Sequence, residues 1–383
     1  MTSALSLHPL RDAKLRAAAM RICIINPNFY RSSGVTVAIR RIDEAVAPYG
    51  IQNHFIDCQY GSEAEDLGWI PPERLAHLPL MSLDPRSLVG GLRRLRELLD
   101  RWGIELIHVH HRRLLILLTL ARWMHGRPIL FSGNLTTPFS LAFWLFGPRR
   151  AIAVTESVRD NLFATTRTRD VTVLGNPTPF PAACPPVDVA SVRQRAVCVA
   201  RLVPVKGHET LIEAWAMLRD RGLERELVLV GEGPLLADLQ ARCRALRIEH
   251  LIDFRGFRAD VQAEYARALF AILVSSVEGQ GIVTIEAAAC GRASLLTDVD
   301  GSRDCLPPDR SLPNGLPFGD ARALADALQA WFEAPDAVAA EGRRFFDFHR
   351  GLNSSQVLGA RYVDAYRRSI EGRPLEAEKA TAS

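Results

Sequence analysis

Short apolar runs alternate with amphipathic segments along almost all of this 383-residue chain, and the alternation occurs twice, once on each side of a proline-rich interval. Runs at 21–26, 52–57, 105–110, 128–131, 150–155 and 171–174 have the length and content of strands, and 36–47, 88–102, 114–125 and 157–165 carry helical spacing between them. Strands regularly separated by helices predict a parallel sheet with helices on both faces. The second half repeats the pattern, with strands at 196–200, 226–230, 251–254, 269–274 and 293–297 and helices at 209–221, 235–246, 261–269, 282–290 and 321–333. Prolines at 177, 179, 181, 185 and 186 mark a stiff connection between the halves. The expected organisation is an N-terminal extension (1–20), a first α/β domain (21–180), a linker (181–190), a second α/β domain (191–345), a helix packing back across both domains (346–371, overlapping a helical segment 339–370) and a disordered tail (372–383).

Composition narrows the class. At 48% hydrophobic and 23% charged residues the chain can fill two cores. Its longest apolar stretches, 114–121 and 140–147, fall short of the roughly 20 residues that span a bilayer. Residues 1–20 lack the continuous apolar region and small-residue cleavage site of a secretory signal. The seven cysteines are odd in number, scattered and mostly within apolar runs, which points to a reducing, cytoplasmic setting; without Cys-x-x-Cys or His-x-x-x-His spacing they give no zinc site. Residues 1–185 hold 22 Arg and Lys against 15 Asp and Glu, too diffuse an excess for nucleic acid but suited to an anionic membrane surface or a phosphorylated acceptor.

Two local features carry chemistry. The segment 275–291 sets Glu278 and Glu286 around a Gly279-Gln280-Gly281 turn between a strand and a helix beginning at Ile282. Bare amides and the positive dipole end of such a helix suit phosphate, while carboxylates accept hydrogen bonds from sugar or ribose hydroxyls, so together they suggest a nucleotide sugar. The chain also has only three lysines, Lys14, Lys206 and Lys379, among 47 basic residues. Lys206 alone lies in the body of the chain, in the turn after the strand at 196–200, where a compact ammonium suits a point-charge role on phosphate. In open α/β sheets ligands bind beyond the strand C-terminal ends, so both turns should open onto one crevice between the domains.

At this point the residues resemble a known family. Arg201 with Lys206-Gly207, Leu229-Val230-Gly231-Glu232-Gly233-Pro234, Phe254-Arg255-Gly256, and Ser276-x-Glu278-Gly-x-Gly281 with Glu286-Ala287 and Gly291 stand in the order seen in glycosyltransferase family 4. The resemblance implies the GT-B fold: two Rossmann-like, doubly wound parallel-sheet domains facing a central cleft, with the nucleotide sugar mainly on the second and the acceptor mainly on the first. It implies transfer with retention of anomeric configuration, no required metal and no cofactor. By the same resemblance Arg201 and Lys206 meet the donor diphosphate, Glu278 the donor sugar and Glu286 the ribose. The amides at Gly281 and Ile282 face sugar or phosphate, and Gly34 after the first strand approaches the diphosphate. On the acceptor side, Ser132-Gly133-Asn134 stands where many relatives carry a histidine, which leaves a side-chain base in doubt. Asn134 joins His108 and His110, on one face of a strand end, as acceptor-side candidates, beside a purely structural role for the histidines.

Other departures are Gln280 in place of an aromatic, Asp304 in place of a glutamate and Arg292-Ala293-Ser294 where a proline usually follows. The opening 26–36 is similar to some lipopolysaccharide-core mannosyltransferases and tilts the donor to GDP-mannose, with a UDP-sugar as the alternative. The expected function is hexose transfer to a saccharide or lipid-linked acceptor in bacterial lipopolysaccharide or exopolysaccharide assembly. The segment 138–146, followed by Arg149 and Arg150, offers peripheral contact with the cytoplasmic face of the inner membrane or else buried core. Competing readings are weaker. Asp298-Val299-Asp300 imitates a metal-binding Asp-x-Asp, and Gly231-Glu232-Gly233 imitates a nicotinamide-binding turn but has Leu236 where a third glycine is wanted. A catalytically inactive carbohydrate binder would not be expected to keep Arg201, Lys206, Glu278 and Glu286 together.

Overall fold

The computed structural model describes residues 20–30, 33–58, 67–192 and 194–375. The N-terminal extension and most of the C-terminal tail lie outside these residues. The first half forms a seven-stranded sheet of β1 (Arg21–Asn26), β2 (Gln52–Asp57), β3 (Leu75–His77), β4 (Leu106–Val109), β5 (Ile129–Gly133), β6 (Arg150–Ala153) and β7 (Asp170–Val173) in the order β3-β2-β1-β4-β5-β6-β7. The second forms a five-stranded sheet of β8 (Arg195–Val199), β9 (Glu226–Val230), β10 (Ile252–Gly256), β11 (Phe270–Leu273) and β12 (Ser294–Leu296) in the order β10-β9-β8-β11-β12. Every neighbouring pair is parallel, as the alternation requires. Among the strands of the described residues, only β3 escaped the sequence pattern: it is three residues long, at the sheet edge and incompletely buried, so it has no apolar run to show.

The main helices are α1 (Gly34–Val46), α2 (Pro85–Arg101), α3 (Arg112–Leu120), α4 (Leu141–Phe146) and α5 (Glu156–Thr165) in the first half. In the second they are α6 (His208–Asp220), α7 (Leu236–Ala245), α8 (Ile282–Ala289), α9 (Ala321–Glu333), α10 (Pro335–Asn353) and α11 (Ser355–Glu371). Alternation along each strand sends side chains to opposite layers. On β1, Cys23 and Ile25 pack beneath α2, α3 and α5 with Leu95, Leu99, Leu118 and Val158. Ile22 faces the other layer, with Ile42 of α1 and with Leu358, Tyr362 and Tyr366 of α11. In the second half Trp215, Phe270 and Trp331 centre the larger core, the last two with ring centroids 5.0 Å apart.

The helical pattern at 339–370 resolves into two helices. α10 packs on the second sheet, the chain becomes extended at Ser354, and α11 completes the core of the first. The break coincides with the linker. The Thr178 amide donates to the Asn353 carbonyl at 2.8 Å and the Ser355 amide to the Thr178 carbonyl at 2.9 Å, so both passages of the chain between the sheets are joined at one point. Strand order reverses between β1 and β4 in one sheet and between β8 and β11 in the other. The loops that follow these four strands therefore stand at the positions where open α/β sheets bind ligands.

Candidate active site

The loop after β8 carries the cations. Lys206 ends a short 3-10 turn, Pro204–Lys206, and Gly207 at φ 66° redirects the chain into α6. Two further glycines brace this loop from behind. A Cβ on Gly231 would lie 2.8 Å from the Ala200 carbonyl carbon, and one on Gly233 2.7 Å from that of Leu202. Gly231 and Gly233 therefore serve close packing against the cationic loop, which explains a glycine pair without the rest of a dinucleotide fingerprint. Arg201 is exposed and, among the described residues, its guanidinium has no carboxylate partner.

The loop after β11 supplies the carboxylates. Glu278 forms an ion pair with the Lys206 ammonium, the two side chains being 11% and 19% exposed. Expected on a donor sugar and on a diphosphate respectively, these groups reach each other. An ammonium has three donors and a carboxylate about four acceptor sites, so the pair keeps capacity for a ligand on both sides. Gly281 leads into α8, whose first amides have no intrahelical partner and carry the positive end of the helix dipole. Glu286, one turn into α8, pairs with Arg41 of α1, and the Tyr265 hydroxyl stands 3.5 Å from its other oxygen.

The first domain closes the cleft from the opposite side. A Cβ on Gly34 would lie 3.9 Å from Ile282 Cδ1, so the starts of α1 and α8 face each other. Asn134, after β5, brings its amide nitrogen 3.4 Å from His110 Nδ1, and its backbone lies against Gly279, whose carbonyl also accepts from the Thr155 hydroxyl at 3.1 Å. His110 and Asn134 thus stand beside the loop that carries Glu278. His108 does not: it is fully buried, 2.7 Å from the Ser132 hydroxyl and 3.1 Å from that of Tyr366, and belongs to the core that receives α11. Two residues apart on extended chain, the two histidines share a face, and their ring centroids lie 4.3 Å apart with the planes tilted by 41°.

Burial decides the charge of these rings. His110 is held down to about 3 and His108 well below the ordinary imidazole range; His208 and His349, buried elsewhere, fall to about 4. With Nδ1 turned to the Asn134 amide, the fitting neutral tautomer protonates His110 Nε2, a buried atom without a partner in the structure. The folded chain keeps all four rings neutral while the unfolded chain takes up a proton at each near pH 6.5. Stability is therefore full above pH 6.5 and falls as the pH drops toward the folded values, by about 1.4 kcal/mol at pH 5.5 for each of His110, His208 and His349. Denaturant midpoints should be clearly lower at pH 5.5 than at 7.5; equal midpoints would contradict neutral burial.

Three residues that looked like departures turn out to be tethers. Gln280 accepts from the Asn176 backbone amide at 2.7 Å and from its side-chain amide at 2.8 Å, and donates to Asn353 at 3.2 Å, which fastens the carboxylate loop to the linker and to α10. Asp304 accepts from the Ser157 amide at 3.1 Å and so caps α5 of the first domain. Arg292 donates to the Ala268 and Ala266 carbonyls at 2.7 and 2.8 Å, pinning the chain before β12. Asp298 and Asp300 flank Arg303, at 2.7 and 3.7 Å, and among the described residues no cluster of three His, Cys, Asp or Glu side chains could hold a metal ion. Arg41 gave no sign in the sequence, being one arginine among many on a helix.

Comparison with known proteins bears on the family and the fold. Residues 32–179 match the family model described as Glycosyltransferase Family 4, and 193–334 match Glycosyl transferases group 1; the two cover most of the chain. The GDP-mannose-dependent alpha-(1-6)-phosphatidylinositol monomannoside mannosyltransferase of Mycolicibacterium smegmatis is 42% identical over 108 residues, 26% of this chain and 28% of the relative. Its Mycobacterium tuberculosis counterpart is 37% identical over 187 residues, 46% of this chain and 48% of the relative. Each match thus spans less than half of the curated relative. Anabaena HepE in complex with UDP and glucose superposes with a TM-score of 0.75 at 18% identity, covering 91% of this chain and 99% of that one, which speaks for the GT-B fold. With both halves matched in order and the two-sheet architecture in place, this chain is a member of glycosyltransferase family 4.

Proposed function

We propose that this protein transfers a hexose, with retention, from a nucleotide sugar to a saccharide or lipid-linked acceptor in assembly of a bacterial envelope polysaccharide. The observation that carries the reading is the Lys206–Glu278 pair, with Arg201 in the same loop as Lys206, beside the start of α8 at the strand-order reversal of the second sheet and opposite Gly34, His110 and Asn134. Cations and helix amides suit a diphosphate whose negative charge grows as the sugar leaves. The bond from the sugar anomeric carbon to the diphosphate oxygen breaks, a bond to the acceptor oxygen forms on the same face, and the acceptor proton passes to the departing phosphate. A ring held near pKa 3 is too weak a base for that proton at neutral pH, so His110 is read as a hydrogen-bond donor to a substrate hydroxyl through Nε2.

GDP-mannose is the favoured donor, supported by the GDP-mannose dependence of the mycobacterial relatives; a UDP-sugar is the alternative, supported by the ligands of HepE. With Lys206, Arg201 and the helix amides assigned to the leaving group, the reading needs neither a metal nor a cofactor. It places the protein in the cytoplasm, against the inner leaflet. Among the described residues no helix is long and apolar enough to cross a membrane. α4 buries Phe143 against Phe131 but leaves Leu141, Trp144 and Leu145 exposed, two residues after the 63% exposed Phe139 in the case of Leu141. A groove of about 760 Å³ beside them, away from the cleft, is lined by Trp144, Phe146, Arg149, Arg167 and Arg169, a mixture suited to anionic headgroups.

One assay tests the reading. Purified protein is incubated with GDP-mannose, UDP-glucose and UDP-galactose, with and without EDTA and anionic vesicles, and released nucleoside diphosphate is measured. Release from one donor, undiminished by EDTA and accompanied by sedimentation with the vesicles, is expected. No release from any donor would sink the transferase reading, loss with EDTA and rescue by manganese would revive a metal role, and protein left in the supernatant would remove the membrane.

A further inference from the structure

We propose that Arg41 is a positioning residue for the donor nucleotide's ribose, acting through Glu286. The proposal rests on the reading of Glu286 as the ribose carboxylate. Arg41 and Glu286 belong to different domains and stand 245 positions apart, yet the guanidinium closes on the carboxylate, with side chains 14% and 12% exposed. The other terminal nitrogen of Arg41 donates to the Thr178 hydroxyl at 3.1 Å. Thr178 is in turn held at its amide and its carbonyl by the α10–α11 junction. One side chain therefore ties the first-domain helix α1 and the interdomain linker to the helix that carries the nucleotide carboxylate.

The pairing leaves room for a ligand. Arg41 takes one oxygen of Glu286, and the Tyr265 hydroxyl stands at 3.5 Å from the second, a weak contact. A carboxylate with about four acceptor sites can still receive a vicinal diol. Removing the guanidinium from Glu286 would leave a charge at this depth facing a single hydroxyl, which is costlier than sharing the carboxylate. Ribose is thus expected to join the pair and not to replace it: its hydroxyls donate to the Glu286 carboxylate, which Arg41 holds in place. The nucleotide site is then complete only when α1 lies against α8, so the first domain contributes to donor affinity without touching the reacting atoms.

Wild type, Arg41→Ala and Arg41→Lys, all as the full chain, are titrated calorimetrically with GDP and 2′,3′-dideoxy-GDP, and in parallel with UDP and its dideoxy form. Arg41→Ala should weaken binding of the ribose form by about tenfold, the scale of one charge-assisted hydrogen bond, and change the dideoxy form by less than about twofold. Donor KM should rise with kcat little changed, and Arg41→Lys, which keeps the charge if Arg41→Ala fails to fold, should lie between. Equal weakening of both nucleotide forms would overturn the proposal in favour of a merely structural tie. Tighter binding would overturn it in favour of competition between Arg41 and ribose, and unchanged binding would leave the pair idle. Failure of the underlying reading looks different: wild type would then bind the ribose and dideoxy forms equally, whereas a discrimination untouched by Arg41→Ala rejects Arg41 alone.

Discussion

Lys206→Ala is expected to lower turnover by about two to three orders of magnitude with the fold intact, the scale for losing one preorganised charge stabiliser. At about 4 Å and an effective dielectric near 20, a unit charge against the leaving diphosphate is worth roughly 4 kcal/mol before desolvation costs. The ion pair with Glu278 complicates this, because the deletion also leaves a nearly buried carboxylate without its cation. Two roles can then be told apart. If Lys206 only neutralised Glu278, the double variant Lys206→Ala/Glu278→Gln would be no slower than Glu278→Gln alone; if it stabilises the departing phosphate, the double variant falls well below Glu278→Gln. We expect the second result, together with a lowered melting temperature in Lys206→Ala that the double variant restores. Arg201 sets the reference, since its guanidinium has no described carboxylate to neutralise and its loss should act on turnover without that stability change. Near-normal turnover in Lys206→Ala would remove the phosphate role altogether.

The fold could be read from sequence because its determinants are local. Each buried parallel strand is a short apolar run and each crossover helix has its own period, so the two sheets and their order of elements followed from windows of a dozen residues. The segment with Glu278 and Glu286 was legible for the same reason: the strand, turn and helix that position both carboxylates are contiguous. What the sequence concealed is what contacts between segments distant in the chain decide. The partner of Lys206 is 72 positions away, and that of Arg41 is 245. His108 and His110 look alike on one strand, but the hydroxyls of Ser132 and Tyr366 that hold His108 in the core come from a neighbouring strand and from the last helix. Gln280 and Asp304 read as departures because a motif describes contacts to ligand, whereas both side chains face the other domain or the linker. The single helical segment at 339–370 was broken by Thr178, whose bridge to Ser354 no helical periodicity reports.

Gly279→Ala should lower turnover by about two orders of magnitude, although the position is conformationally ordinary: Gly279 is not among the glycines with positive φ, so alanine fits its backbone. The obstacle is space. A Cβ there would lie 2.6 Å from the Asn134 carbonyl carbon and 3.2 Å from Leu135 Cα, with the Asn134 carbonyl oxygen closer still. All three are backbone atoms of the opposite domain, so no rotamer change relieves the contact and the two loops must separate. That separation moves Glu278 away from His110 and Asn134 and also strains the Thr155 bond to the Gly279 carbonyl. A misplacement of about 1 Å between groups that must act together costs about a hundredfold in rate, whereas the destabilisation from overpacking is about 1–3 kcal/mol. Turnover should therefore fall far more than stability, and hydrogen exchange should quicken around 134–135 and 278–281 and not in the sheets. Gly90→Ala in α2, where an added Cβ meets nothing within 4 Å, serves as the control and should leave turnover unchanged. If Gly279→Ala kept wild-type turnover, the contact between these loops could not be what sets the distance between donor and acceptor.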